Sequence, residues 1–331
     1  MQKIKALLDR LRIDTYILLL IGMVLLATVL PCRGVAATLM GYVTNFAIGL
    51  LFFLYGARLS SETVIQGLTN WRLQVAVLLS TFLLFPILGL VLRQLATPIL
   101  GSDLAFGIAF LCLLPSTVQS SIAFTSIARG NVAAALCCAS ISNLLGVIVT
   151  PILVGLFLTA QTGGISGDSI RDIVLQLLVP FGIGQVLRPW LKAPLARHKQ
   201  VVGYVDRGSI LLVVYTAFSG GVVNGIWSRL DPAKLLLLLI FNLILLAIVL
   251  IITTWSSRRL GFSKEDEIAI VFCGSKKSLA SGIPIANVLF PASAVSLVVL
   301  PLMLFHQIQL MACAAIARRY ATRSEITGDG G

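Results

Sequence analysis

Ten stretches of predominantly apolar residues follow one another along the chain, at about 15–30, 39–57, 72–92, 104–128, 131–158, 170–190, 208–227, 233–255, 267–289 and 293–317. Each is near the ~20 residues that a helix needs to cross the hydrocarbon core of a bilayer. The segments between them are short. The pattern predicts an all-α, polytopic membrane protein of ten transmembrane helices, with nothing left over for a sizeable soluble domain. Local punctuation agrees. Pro31-Cys-Arg-Gly34 ends the first run, and Asp103 opens the fourth. Asp231-Pro232 starts the eighth with a capping residue and a proline at the first helical position. Gln161–Asp168 is a flexible, Gly-rich linker.

Composition sharpens this reading. Of 331 residues, 58% are hydrophobic and 11% charged. A soluble domain carries about 45–50% apolar and about 25% charged residues, so a soluble enzyme, a disordered chain and a disulfide-rich module are excluded. The net charge of +12 would suggest nucleic acid in a soluble protein, but no basic-aromatic stripe accompanies it. A membrane protein concentrates such charge in its cytoplasmic loops. With ten spans and a cytoplasmic N-terminus, the inside segments hold Lys3, Lys5, Arg10, Arg12, Arg58, Arg72, Arg129, Arg188, Lys192, Arg197, Lys199, Arg207, Arg258, Arg259, Lys264, Arg318, Arg319 and Arg323. The outside segments hold only Arg33, Arg93, Arg171, Arg229 and Lys234. That bias favours an even number of spans, with both termini cytoplasmic. The first run is expected to stay uncleaved, because no small-x-small site follows it and Pro31 precedes Cys32.

The two remaining cations, Lys276 and Lys277, lie near the middle of the ninth run. A lysine at a helix centre costs ~2.5–3.5 kcal/mol on insertion scales. Two explanations stand. In one, the segment is a loop whose lysines snorkel to the cytoplasm, which leaves nine spans and puts Arg318 and Arg319 outside. In the other, the helix is broken at Gly274, Ser275 and Gly282-Ile-Pro284, and its freed backbone lines a polar site. The fourth run has a matching interruption, Leu114-Pro-Ser-Thr-Val-Gln-Ser-Ser121. It is fourth in its half of the chain, as the ninth run is in the other. Paired broken segments at corresponding positions point to two inverted five-helix repeats, 1–160 and 161–331, within a single transporter domain.

Other polar residues inside apolar runs are Ser140, Ser142 and Asn143 in the fifth, and His306, Gln307 and Gln309 in the tenth. Helix–helix hydrogen bonding explains each taken alone. No Asp or Glu sits centrally in any run, so no carboxylate relay for protons is visible. The six cysteines form no metal-ligand spacing and are expected to be free thiols. No catalytic triad, zinc set or phosphate loop appears, and the chain is not expected to be an enzyme.

Three stretches carry a resemblance: Phe82-Leu-Leu-Phe-Pro86, Phe124-Thr-Ser-Ile-Ala-Arg-Gly-Asn-Val-Ala133 and Phe272-Cys-Gly-Ser-Lys-Lys-Ser-Leu-Ala280. The chain resembles the bile acid:sodium symporter family, solute carrier family 10 in animals, and is most similar to its orphan bacterial branch. The resemblance implies a panel of helices 1, 2, 6 and 7, and a core of helices 3–5 and 8–10 in which broken helices 4 and 9 cross. It places sodium beside the crossing and an organic anion between panel and core. The family's sodium-binding Ser-Asn pair falls on Ser121 and Ile122, its helix-5 Ser and Thr on Ala135 and Ala139, its helix-9 glutamate near Phe272 or Cys273, and its helix-3 glutamine on Thr81. A helix-9 Gln-Asn pair is replaced by Lys276-Lys277. Most sodium ligands are therefore missing.

These readings converge on a secondary active transporter, a symporter of a small organic anion by alternating access, in which Lys276 or Lys277 replaces a bound sodium ion. A sodium-coupled symporter with a rearranged ion site and a non-transporting membrane regulator are the alternatives. The expected binding residues are Gln119, Ser120, Ser121, Ser140, Asn143, Ser275, Lys276, Lys277, Ser278, His306 and Gln309. Sodium, if bound, belongs near Thr81, Ser121 and Ser275. No cofactor is expected, and sodium and proton coupling both stay open. The expected surroundings are a lipid bilayer (the inner membrane in a bacterium) and the anionic substrate.

Overall fold

The computed structural model describes residues 15–58, 70–158, 171 and 174–322. The Gly-rich linker 161–168 and the basic residues Lys3, Lys5, Arg10, Arg12 and Arg323 lie outside them. The described residues are helical, with no strand among them. In chain order the helices are α1 Thr15–Val29, α2 Gly34–Arg58, α3 Trp71–Leu100, α4 Ser102–Cys112, α5 Gln119–Ile127, α6 Val132–Phe157, α7 Val174–Arg197, α8 Lys199–Val223, α9 Ile226–Arg229, α10 Pro232–Arg259, α11 Lys264–Gly274, α12 Leu279–Leu289 and α13 Ala292–Thr322. Eight are long and apolar enough to cross a membrane, counting α11 and α12 as one, while α1 and α4 hold shorter apolar stretches. The fourth run is two helices separated by a break, and so is the ninth.

The helices divide into two compact units. The first holds α1, α2 and α7–α9, with residues 283–299. Here α2 and α7 meet backbone to backbone. A Cβ added at Gly56 would lie 2.0 Å from the Phe181 carbonyl oxygen, and one at Gly184 would lie 2.1 Å from that of Phe53. Reciprocal glycines of this kind let two helices approach closely where lipid supplies no hydrophobic drive. Thr44 of α2 and Thr216 of α8 share a hydrogen bond of 2.8 Å, and Arg58 pairs with Asp206 at 2.7 Å. Much of the outer surface of these helices is apolar; Val35, Phe46 and Val186 are all exposed. That is what a lipid-facing helix requires.

The second unit holds α3–α6, α10, α11 and the adjoining parts of α12 and α13. The turn 128–131 joins α5 to α6 and accounts for the motif quoted above. Arg129 takes a left-handed φ of 55°. Gly130 allows Ile268 to pack where a Cβ would sit 2.4 Å from it. Asn131 caps α6 by accepting from the Ala134 N–H at 3.0 Å, and its Nδ2 donates to Asp266 at 2.8 Å. At the same end Glu267 is buried. It accepts from Arg258 and from Tyr320 and pairs with Lys264, so one carboxylate ties α10, α11 and α13. In this unit the ninth run is the most enclosed: residues 267–279 are all buried. Lys276 and Lys277 are 0% exposed. Neither snorkels; the helix is broken after Gly274, as expected, but runs on unbroken through Gly282-Ile-Pro284, where a second break was expected.

Candidate functional site

The two breaks meet inside the second unit, and each supplies hydrogen bonds that the other lacks. A helix that stops leaves its last carbonyls without donors. At the end of α11 these are the carbonyls of Phe272, Cys273 and Gly274. Ser121 Oγ donates to the first at 2.9 Å, Ser116 Oγ to the second at 2.5 Å and Ser80 Oγ to the third at 2.8 Å. The Ser278 N–H, which a continuous helix would direct to Gly274, donates to the Pro115 carbonyl at 2.9 Å. The peptide groups of Lys277 are clamped by Gln309 of α13. Its Oε1 accepts from the Lys277 N–H at 2.9 Å, and its Nε2 donates to the Lys277 carbonyl at 3.0 Å. Broken backbone in a dry interior must find such partners.

Prolines create the opposite set of orphans. Ser80–Leu84 of α3 is a π-helical stretch, with the Phe85 N–H bonded to the Ser80 carbonyl five residues back. The donor that would serve Thr81 in this register is residue 86, a proline with no N–H. The Thr81 carbonyl is thus free of backbone donors. In the fourth run Pro115 ends α4. The Ser116 N–H, which would serve Cys112, is diverted to Ser142 Oγ at 3.1 Å. Beyond it the chain stays non-helical to Val118, and Leu114 loses its donor too. The ammonium of Lys277 fills all three vacancies. Nζ donates to Thr81 O at 2.8 Å, Cys112 O at 2.8 Å and Leu114 O at 2.6 Å. An ammonium has three protons, so its donors are used up. The Phe85 ring lies 4.1 Å from the same nitrogen, a cation–π contact.

Lys276 turns away from its neighbour. Its Nζ donates to the Ser120 carbonyl at 2.9 Å and lies 4.0 Å from the Phe124 ring centroid and 5.4 Å from that of Phe272. Residues 275–278 are not helical. The 100° step between helical neighbours therefore does not separate these side chains; the non-helical break does.

The expected residues divide accordingly. Ser121, Ser275, Ser278, Lys276, Lys277 and Gln309 belong to the crossing, but Ser275 Oγ serves its own helix by donating to Val271 O at 2.6 Å. Ser120 and Thr81 contribute carbonyls, not hydroxyls; their hydroxyls bond Thr117 at 2.6 Å and Val77 at 2.8 Å. Asn143 accepts from Ser281 Oγ at 2.7 Å. His306 accepts or donates at Nδ1 with Gln309 Nε2, at 2.9 Å. Gln119 is exposed on the first turn of α5, and Ser140 is half-buried; neither hydrogen bonds with the break. On α6 the working hydroxyl is Ser142, two positions and thus about 200° further round. Thr150 was not anticipated either; its Oγ1 donates to the Leu113 carbonyl at 2.8 Å. The Leu113 carbonyl lies where α4 has ended, so no helical N–H follows to serve it.

Few of the positions that the resemblance assigns to sodium carry an oxygen ligand. Ile122, Ala135, Ala139 and Phe272 bring no side-chain oxygen. The hydroxyls of Thr81, Ser121 and Ser275 are committed to backbone carbonyls. The carbonyls of Thr81, Cys112 and Leu114 already hold the Lys277 ammonium. Among the described residues no group of three or more His, Cys, Asp or Glu could hold a metal.

Comparisons with known proteins bear on the same stretches. Residues 14–322 match the SBF-like CPA transporter family. The chain is 58% identical over 313 residues to uncharacterized protein PA2026 of Pseudomonas aeruginosa, covering 94% of each. It is 51% identical over 313 residues to "Putative symporter YfeH" of Escherichia coli, covering 95% of this chain and 94% of the relative. It is 30% identical over 275 residues to sodium/bile acid cotransporter 7 of Rattus norvegicus, covering 81% and 80%.

Proposed function

The chain belongs to the SBF-like CPA transporter family, and from that premise we propose that it carries a small organic anion across the membrane by alternating access, with Lys277 as a cation built into the crossing. One observation carries the proposal: a buried ammonium held by three backbone carbonyls at 2.6–2.8 Å. Such a set of carbonyls is what a monovalent cation takes up in a membrane interior. Here the cation is covalently part of the chain, so its charge does not depend on the sodium concentration outside. Two cations at the crossing with no carboxylate bonded to them among the described residues favour a substrate of negative charge.

The wider architecture supports the same reading. The first compact unit holds the helices assigned to a panel, and the second holds most of those assigned to a core. We take the chain as ten spans in two inverted repeats, 1–160 and 161–331. Both termini are cytoplasmic, and in a bacterium the protein sits in the inner membrane.

The test is uptake of labelled organic anions by proteoliposomes, with sodium present or replaced by choline. Uptake of at least one anion at equal rates in both is expected. Uptake that requires sodium would replace this reading with a sodium symporter whose ion site is rearranged. Neither uptake nor binding of any anion would favour a regulator that has kept the fold without the transport.

A further inference from the structure

Gln309 is completely buried, and every polar atom of its side chain is committed. Oε1 can only accept, so it must face the Lys277 N–H. Nε2 then donates one hydrogen to the Lys277 carbonyl and has one left. That second hydrogen points at His306 Nδ1, 2.9 Å away. The amide's orientation therefore decides the tautomer of the ring: Nδ1 is the bare acceptor, and Nε2 carries the proton. His306 itself is half-buried, one turn before Gln309 on α13. Lys276 is the charged side chain that acts on it, Lys277 meets it through its peptide, and no carboxylate does either. Beside it on α13, Phe305 packs edge-on against Phe85 of α3.

We propose that His306 is the proton-binding residue of the crossing and that Gln309 carries its protonation state to the broken backbone at Lys277. The ring takes up one proton at Nδ1, keeps the one at Nε2 and becomes an imidazolium. Two N–H groups then face each other across 2.9 Å. The amide of Gln309 can relieve this by turning over, which brings Oε1 to the imidazolium. In that orientation Nε2 faces the Lys277 N–H and Oε1 faces the Lys277 carbonyl. Both clamp bonds are lost together. The alternative, withdrawal of the Gln309 side chain, loses them as well. Either response leaves a buried N–H and C=O unpaired at the break, a cost that falls on segment 275–278. Proton binding at α13 is thereby linked to the conformation of the segment that holds the tethered ammonium, as coupled transport requires. The proton site stands on this geometry alone. Its use as the coupling ion for an anion rests on the function proposed above.

The chain has two histidines, His198 and His306, so histidine-selective 15N labelling of the full chain in detergent gives two ring systems to assign. At neutral pH His306 is expected to show an unprotonated Nδ1 and a protonated Nε2. The opposite tautomer would overturn the proposal. Hydrogen exchange over residues 275–281, normalised to the intrinsic rate at each pH, is expected to speed up about tenfold as His306 titrates. In His306→Gln it should be the same across that range, because a glutamine oxygen accepts from Gln309 without titrating. Wild-type protection that ignores the titration refutes the link, and so does a variant with the wild-type response. If His306→Gln fails to fold, the wild-type tautomer and exchange measurements still decide. Neither needs a substrate: a chain that passes both but moves no anion keeps its proton site and loses the transport reading. In proteoliposomes an imposed proton gradient should change anion uptake in the wild type and leave the variant unaffected. A variant that keeps the gradient response would remove His306 from coupling.

Discussion

The two adjacent lysines have the same chemistry and different worth, because their surroundings differ. Lys277 satisfies three carbonyls that nothing else reaches, whereas Lys276 satisfies one and leans on two rings. Hydrogen bonds to charged groups contribute roughly 1.5–3 kcal/mol each, and a buried acceptor left alone costs about 1–3 kcal/mol. Lys277→Met keeps length and removes every donor. It is expected to lose on the order of 3 kcal/mol or more of stability, read as a lowered midpoint of thermal unfolding in detergent. Lys276→Met should lose less, about a third of that. Equal losses would mean that the carbonyl cluster is not what the ammonium stabilises. Adjacent lysines in an apolar run were conspicuous in the sequence. Which one is saturated was not, since that depends on where three carbonyls from two other segments lie.

At the scale of elements, the fourth-run break is held open by Pro115 and closed by a neighbouring helix. Gly146 of α6 faces the Pro115 ring, where an added Cβ would come within 2.5 Å of ring carbons. The ring cannot move without shifting the Leu114 carbonyl beside it. Gly146→Ala is therefore expected to destabilise by about 1–3 kcal/mol, as overpacking does. Gly41→Ala, at a site with nothing within 4 Å, should be neutral or slightly stabilising in the same unfolding assay. A matching loss at both positions would point to the helix backbone and not to the contact. Glu267 makes a second test of element packing. Glu267→Gln leaves its partners Arg258 and Lys264 facing a neutral amide where one carboxylate now joins three helices. A fall in thermal midpoint is expected, larger at low ionic strength, where the partly exposed arginine is least screened.

For the whole molecule, orientation follows from charge and not from packing. The lysine and arginine bias between alternate loops predicts that a single cysteine at Lys199 is shielded from an impermeant thiol reagent in whole cells. One at Ser102 should react. Both positions are exposed, so access to the reagent depends only on the side of the membrane. Labelling of Lys199→Cys from outside would invert the topology or change the number of spans.

The apolar runs, the loop charges and the two interruptions were legible in the chain itself, because membrane insertion reads local sequence: about twenty residues of hydropathy, flanking charge and a proline's missing N–H. Those terms yield helices, their breaks and the class of protein. The site was legible only in outline. Ser142 and not Ser140, the Thr81 carbonyl and not its hydroxyl, and the burial of both lysines all depended on how the fourth, ninth, third and tenth runs meet. A hydrogen bond is decided within a few tenths of an ångström, between groups up to 196 residues apart. No local pattern carries that information. The sequence determined that polar groups had to be buried in this membrane protein; the tertiary structure decided which of them satisfy one another, because only there do the orphaned carbonyls and their donors come within reach.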